Sequence, residues 1–345
     1  MSDTSKIQSI TSGPRQSNIE LLRIISMFLV LMVHANFWSL GTPDRQELTS
    51  FPMATGFRIF LNTFCSICVN VFILISGKFG IRRSFKGLCS FLFQCIYFVI
   101  AGYILMWLVT GNCSIINFIN DVLFLEKGSS WFIKAYLGLY ILSPVLNSFA
   151  DNCSKQVFKT TLILFFSFQT YFGMINGSAA FIQFGYSVFS FIGLYLLGRY
   201  YTRFSVTPPH CILLYISTLS ISTIISIIGI GISRPYLMDW MTYYISPTII
   251  LMSFLSLVIF DKIHIKPNKL INWVSASCFG VYLLHMCNAP CKIFFKKTMC
   301  FLYESFSGCA YIIHTFTILI AIFIIAILID QPRKFIWTHL IKRVV

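Results

Sequence analysis

Apolar residues recur along this chain in long continuous runs, broken by short polar connections, and not at the three-to-four-residue spacing of an amphipathic surface helix. About 20 apolar residues are needed to cross a ~30 Å hydrocarbon core. On that template the runs predict about ten transmembrane helices, at 19–40, 57–76, 88–109, 131–149, 157–175, 181–201, 210–232, 239–260, 270–291 and 309–330. The expected fold is therefore all-α and polytopic: a polar N-terminal tail over 1–18, one membrane domain over 19–330 and a basic C-terminal tail over 331–345. The connection at 110–130 contains an apolar stretch, INFINDVLFL over 116–125, suited to lie in the interface or to cover a cavity. No segment repeats another, which weighs against transporters built from internal repeats.

Composition sharpens the class. Hydrophobic residues make up 57% of the chain and charged residues 11%, with a mean hydropathy of +0.79; a soluble domain carries roughly 25% charged residues. The net charge of +15 would suit nucleic acid, but the basic residues sit in short loops. With the N-terminus in the cytoplasm, Lys6 and Arg15 and the basic residues of 78–86, 155–159, 199–203, 262–269 and 333–343 all fall on that side. The positive-inside rule then places both termini in the cytoplasm, and nucleic acid is excluded as a partner. The segment 292–297, with Lys292, Lys296 and Lys297, runs against the rule. No small-residue cleavage site follows the first apolar run, so the first helix is expected to be retained. The twelve cysteines are scattered through apolar spans; Cys65 and Cys68, and Cys287 and Cys291, lack companion ligands at zinc spacing. They read as packing residues, and no metal or bound cofactor is predicted.

Candidate chemistry centres on the first run, NIELLRIISMFLVLMVHANF, which carries Glu20, Arg23 and His34. At about 100° per residue, the eleven steps from Arg23 to His34 come to roughly three turns plus 20°, so both project from one face, with Glu20 beside them. The imidazole lies roughly 16 Å deeper than the guanidinium. Ionisable groups at such depth are costly and mark functional sites by default, although a histidine that merely bonds a neighbouring helix would read the same. After the second run, SGKFGIRRSFK places Lys78, Arg82, Arg83 and Lys86 within nine positions. They would clamp a polyanion, or equally anchor the loop on anionic headgroups. The fourth run, WFIKAYLGLYILSPVLN, is rich in polar groups around Trp131, Tyr136 and Tyr140, as a cavity wall or an aromatic packing face would be. The ninth contains SASCFGVYLLH with His285, and His314 opens the tenth.

Taken together, Arg23 and His34 with ten residues between them, the SGKFGIRRSFK loop, the WFIKAYLGLYILSPVLN run and FGVYLLH resemble the acyltransferase 3 family of integral membrane O-acyltransferases over essentially the whole chain. The resemblance implies transfer of an acetyl group from cytoplasmic acetyl-CoA to a hydroxyl of a surface polysaccharide or its lipid-linked precursor, in the inner (plasma) membrane. It implies Arg23 and His34 as catalytic residues, with Glu20, three residues before Arg23, expected to orient it, and Arg82 and Lys86, with Arg83 sharing the role, as acyl-CoA ligands. Trp131, Tyr136 and His285 would meet the carbohydrate acceptor. The family's third-helix R-x-x-x-R pattern falls on Arg82 and Lys86, where the final arginine has become lysine and lost its planar fork. A carrier or flippase for a polysaccharide or lipid-linked sugar is the competing expectation, since membrane histidines and basic loops would serve it too.

Overall fold

The computed structural model describes residues 15–112, 114–125 and 130–341. Lys6, Lys342 and Arg343, and most of the expected N-terminal tail, lie outside the described residues. Among these residues sixteen α-helices run in chain order: α1 Ser17–Val33, α2 Arg45–Ser50, α3 Pro52–Cys65, α4 Cys68–Phe79, α5 Phe85–Thr110, α6 Ile115–Val122, α7 Trp131–Asn152, α8 Lys155–Thr170, α9 Val188–Phe204, α10 Cys211–Gly231, α11 Tyr236–Thr242, α12 Pro247–Lys262, α13 Lys269–Ser275, α14 Cys278–Met286, α15 Ala289–Ser305 and α16 Gly308–Ile336. No strand occurs among the described residues. Long apolar runs take this form because a helix satisfies its backbone internally, which hydrocarbon demands. Many helices begin on a polar cap: the side chains of Ser84, Ser114, Ser154, Ser187, Asn268 and Asn288 each accept from the N–H three residues on.

Among the described residues, seven helical stretches are long and apolar enough to cross a membrane: 17–38, 52–79, 85–110, 131–152, 211–231, 236–262 and 308–339. An eighth forms if α13–α14 and α15 count as one span, bent by 82°. The expected runs at 157–175 and 181–201 correspond to α8 and α9. The first is helical but carries Lys155, Lys159 and a series of Ser, Thr and Gln residues; the second starts only at Val188 and rises about 26 Å. Its expected first turns are instead a 3₁₀ turn at Gln183–Gly185, in which Gly185 takes φ +105°. At the other end α16 runs past residue 330 into the expected basic tail. There Arg333 closes on the fully buried Asp330 at 2.5 Å, and Lys334 donates to Ser277 at 2.6 Å.

The first helix is the hub, packed against α3, α4, α12, α13 and α14. Its start is tied down by polar contacts: Ser17 donates to Asn272 at 3.0 Å, and Asn18 to the Phe260 carbonyl at 2.9 Å. The tightest helix pair is α4 against α9, where a Cβ on Gly77 or Gly198 would collide with the backbone of the facing helix. Small residues of this kind let membrane helices approach closely. Since backbone cannot swing aside as a side chain can, Gly198→Ala should cost about 1–3 kcal/mol, the range for overpacking. A lowered thermal midpoint in detergent would report it; an unchanged midpoint would show that the pair can separate freely.

Candidate active site

His34 stands where the first helix changes its winding. The α-helix ends at Val33 and a single π turn, His34–Trp38, follows, with the Ser39 hydroxyl donating to the His34 carbonyl at 2.8 Å. Such bulges need external support, because one backbone ring is widened. Arg58 of α3 supplies it: its Nε donates to Asn36 Oδ1 at 3.0 Å, and Asn36 returns a bond to the Arg58 carbonyl at 3.0 Å. The rest of that guanidinium is held by Glu47, by the Gly41 carbonyl at 3.0 Å and by Tyr303. Its charge is thereby paired although it is buried.

The π turn brings His34 Nδ1 to 2.8 Å from His285 Nε2 on α14. The other ring nitrogen of His285 lies 2.5 Å from the Val281 carbonyl, four residues back on its own helix. A carbonyl only accepts, so His285 Nδ1 carries a proton. In the neutral ring its Nε2 then accepts, and His34 Nδ1 must donate. His34 Nε2 is left with a lone pair. His285 is buried, while His34 is half-buried and lines a cavity of about 570 Å³. One histidine thus fixes the tautomer of the other.

The cavity collects the irregular points of several helices. The π turn contributes His34, Phe37 and Trp38; Ser66 comes from the break between α3 and α4, and Tyr243 and Tyr244 from that between α11 and α12. Aromatic rings dominate its wall: Trp131 sits 4.6 Å from Tyr186 and stacks on Tyr244 at 6.0 Å. Polar groups enter from Asn62, Gln183, Asp239 and Lys292. Ring faces with scattered hydrogen-bonding groups suit a polyhydroxylated ligand, which needs both. Along α1 the cavity extends as far as Met27, four residues from Arg23.

At the Arg23 end the charged mouth is ordered by pairing. Arg23 donates to Glu20 at 2.7 Å, and the buried Glu20 also accepts from Ser275 of α13. Beyond it, Arg82 and Arg83 are exposed on the loop between α4 and α5, and Lys86 follows in the first turn of α5. That loop's backbone is pinned from two helices. Tyr195 accepts from the Ile81 N–H at 2.9 Å and donates to Asn147 at 2.6 Å; Asn147 donates to the Ile81 carbonyl at 2.9 Å. Tyr140 both accepts from and donates to Ser84, each at 2.9 Å.

Of the sequence-predicted residues, His34 and Trp131 line the cavity, and His285 sits behind His34 as its hydrogen-bond partner, not on the wall. Tyr136 is not on the wall either. It packs between Phe91, at 5.5 Å, and Phe132, at 5.9 Å, beside Ser76 and Arg23; Phe132 and Phe279 line the cavity, and Phe91 stacks on Phe279 at 5.7 Å. His314 stacks on Phe306 and bonds the Ala310 carbonyl, away from the cavity wall. Sequence reasoning missed Asn62, Gln183, Asp239 and Tyr244 as wall residues. Gln183, Asp239 and Tyr244 each stand between two apolar or aromatic neighbours, and Asn62, followed by Thr63, lies inside an apolar run; Gly185 marks the turn at Gln183 without showing which side chains face the cavity.

The fold and site together define an all-helical membrane protein whose half-buried His34 is tautomer-locked at an aromatic cavity. The family model described as "Acyltransferase domain", that of the acyltransferase 3 family, matches residues 16–331, and the chain belongs to that family. It is a membrane acyltransferase. No curated protein and no solved structure matches it.

The tautomer assignment has a direct readout. In ¹⁵N-histidine-labelled protein in nanodiscs at neutral pH, both His34 and His285 should show a protonated Nδ1 and a bare Nε2, and His285→Phe should release His34 to a mixture. Protonation at His34 Nε2 in the unsubstituted protein would overturn the assignment.

Proposed function

We propose that the protein transfers an acetyl group from cytoplasmic acetyl-CoA to a hydroxyl of a surface polysaccharide or its lipid-linked precursor in the inner (plasma) membrane. The observation that carries this reading is the chain from the Val281 carbonyl through His285 to His34 on the cavity wall, which leaves His34 Nε2 with an unshared lone pair. Attack on a thioester requires the hydroxyl proton to leave as the C–O bond forms, and a neutral imidazole is suited to take it near pH 7. The C–S bond then breaks and the CoA sulfur receives that proton. Transient acetylation of His34 would use the same lone pair, so both routes need the same tautomer.

The coenzyme's phosphates would sit at Arg82, Arg83 and Lys86, beside a loop whose backbone is held by Tyr140, Asn147 and Tyr195. A loop held beforehand costs less ordering when a polyanion binds. The pantetheine arm would pass Arg23 and the rings of Phe91, Phe132, Tyr136 and Phe279 to reach His34. The acceptor would lie in the cavity against Trp131, Tyr186 and Tyr244, with Asp239 and Asn62 for its hydroxyls. Glu20 acts through Arg23 and is a positioning residue.

Two measurements test this. Purified protein in liposomes, given acyl-labelled acetyl-CoA and extract of surface glycan, should release free CoA and move label to glycan, whereas His34→Ala should lose about 10²–10⁴ in rate, the usual worth of a general base. Glycan movement across the bilayer without CoA release would favour a carrier. In the same assay Arg82→Ala with Arg83→Ala should raise KM for acetyl-CoA about tenfold, in the range of one charge-assisted hydrogen bond, with kcat nearly unchanged. An unchanged KM would move the phosphate site elsewhere.

A further inference from the structure

The lysines at 292, 296 and 297, contrary to the positive-inside pattern, have a place in the structure. They lie on α15, the helix that follows the sharp bend after His285, at the end of the bundle opposite Arg23. Lys292 and Lys296, four apart, share a face. With Lys297, Ile293 and Phe301 they line a groove of about 420 Å³ against Trp38. Lys296 Nζ stands 5.7 Å from the centre of the Trp38 ring, and that ring is 6.4 Å from His34. Both Trp38 and Lys292 also belong to the wall of the His34 cavity, so groove and cavity are continuous.

Lys296 and Lys297 are exposed and, among the described residues, neither forms an ion pair; Glu304 is the one carboxylate on the groove. Beside these charges Ile293, Phe294 and Phe301 are 50%, 52% and 61% exposed, on a helix of a membrane domain where lipid is the natural cover. A ligand matching this surface carries an anion for the lysines, a hydrocarbon chain for the apolar side and a ring face for Trp38. We propose that the groove binds the phosphate or diphosphate ester of a lipid-borne glycan, setting its attached sugars over Trp38 and into the His34 cavity. The proposal rests on the acyl-transfer reading of that cavity and specifies its acceptor as an amphiphile, not a free polymer.

The test uses the full chain in phosphatidylcholine nanodiscs with a fluorescent polyprenyl phosphate as probe. Lys296→Glu with Lys297→Glu should weaken binding at least about tenfold, the worth of roughly 1.4 kcal/mol. The neutral pair Lys296→Gln with Lys297→Gln should fall between, and Lys262→Glu with Lys266→Glu, outside the groove, should bind as the unsubstituted chain. Monodisperse elution of each variant guards against misfolding. Equal binding by the charge-reversed chain overturns the proposal. So does displacement of the probe by phosphatidylglycerol as effectively as by unlabelled polyprenyl phosphate, which would make the lysines a headgroup contact only. His34→Ala should bind the probe normally. If the unsubstituted chain binds it through these lysines yet releases no CoA, the transfer reading fails and the groove stands. If CoA is released and charge reversal leaves binding intact, the groove alone fails.

Discussion

The hydrogen bond between His34 and His285 is the constraint on which the site depends. Two neutral imidazoles can bond only if one donates and the other accepts, and here the choice is made by a third group, the Val281 carbonyl. Because that carbonyl belongs to the helix carrying His285, the polarity of the whole chain is set by secondary structure and not by a mobile side chain. The two residues are 251 positions apart, so their contact also locks the first helix to the fourteenth. Anything that shifts α1 along its axis breaks the pair. The anchors at Ser17 and Asn18 and the Arg58–Asn36 brace oppose such a shift from both ends.

A cavity in a membrane bundle requires helices to depart from regularity, and each departure frees backbone groups that hydrocarbon cannot solvate, at a cost of several kcal/mol apiece. The breaks around His34 meet this cost with side chains. Ser39 donates to the His34 carbonyl, Ser66 to Asn62, Asn70 to Tyr244 and Asn288 to Leu284, at 2.7–2.8 Å. These buried Ser and Asn residues, Ser66 on the cavity wall among them, satisfy the carbonyls at the breaks by which the wall turns inward.

How much was legible in the sequence follows from which features are local. The apolar runs marked most spans, since hydropathy is a property of contiguous residues. The shared face of Arg23 and His34 could be read because α1 stays α-helical up to Val33, leaving the angular arithmetic intact. Glu20 was readable as the partner of Arg23 for the same reason. The partner of His34 was not, because nothing near either histidine encodes a contact across 251 residues. Nor could the sequence separate Tyr136 from the wall: only tertiary packing shows that Phe132, one turn away, takes the cavity position while Tyr136 joins the stack below it. The expected run at 181–201 failed at its start because hydropathy is blind to the left-handed backbone of Gln183 and Phe184.

The stack of Phe91, Phe132, Tyr136 and Phe279 gives the acyl-transfer reading a physical consequence. Charge gathers at the Arg23 mouth and again at the lysine groove, and the aromatic layer between them offers no ion a partner. On that reading the cost of desolvation would stop a charged nucleotide at the mouth, while a thin, largely neutral thioester arm could part the rings. On the far side His34 faces the cavity that runs on into the lysine groove, so a hydroxyl acceptor would have to fill that space to take the place of water. Selectivity for transfer over hydrolysis would then come from how fully the acceptor fills the cavity, with the histidine pair serving only to take its proton.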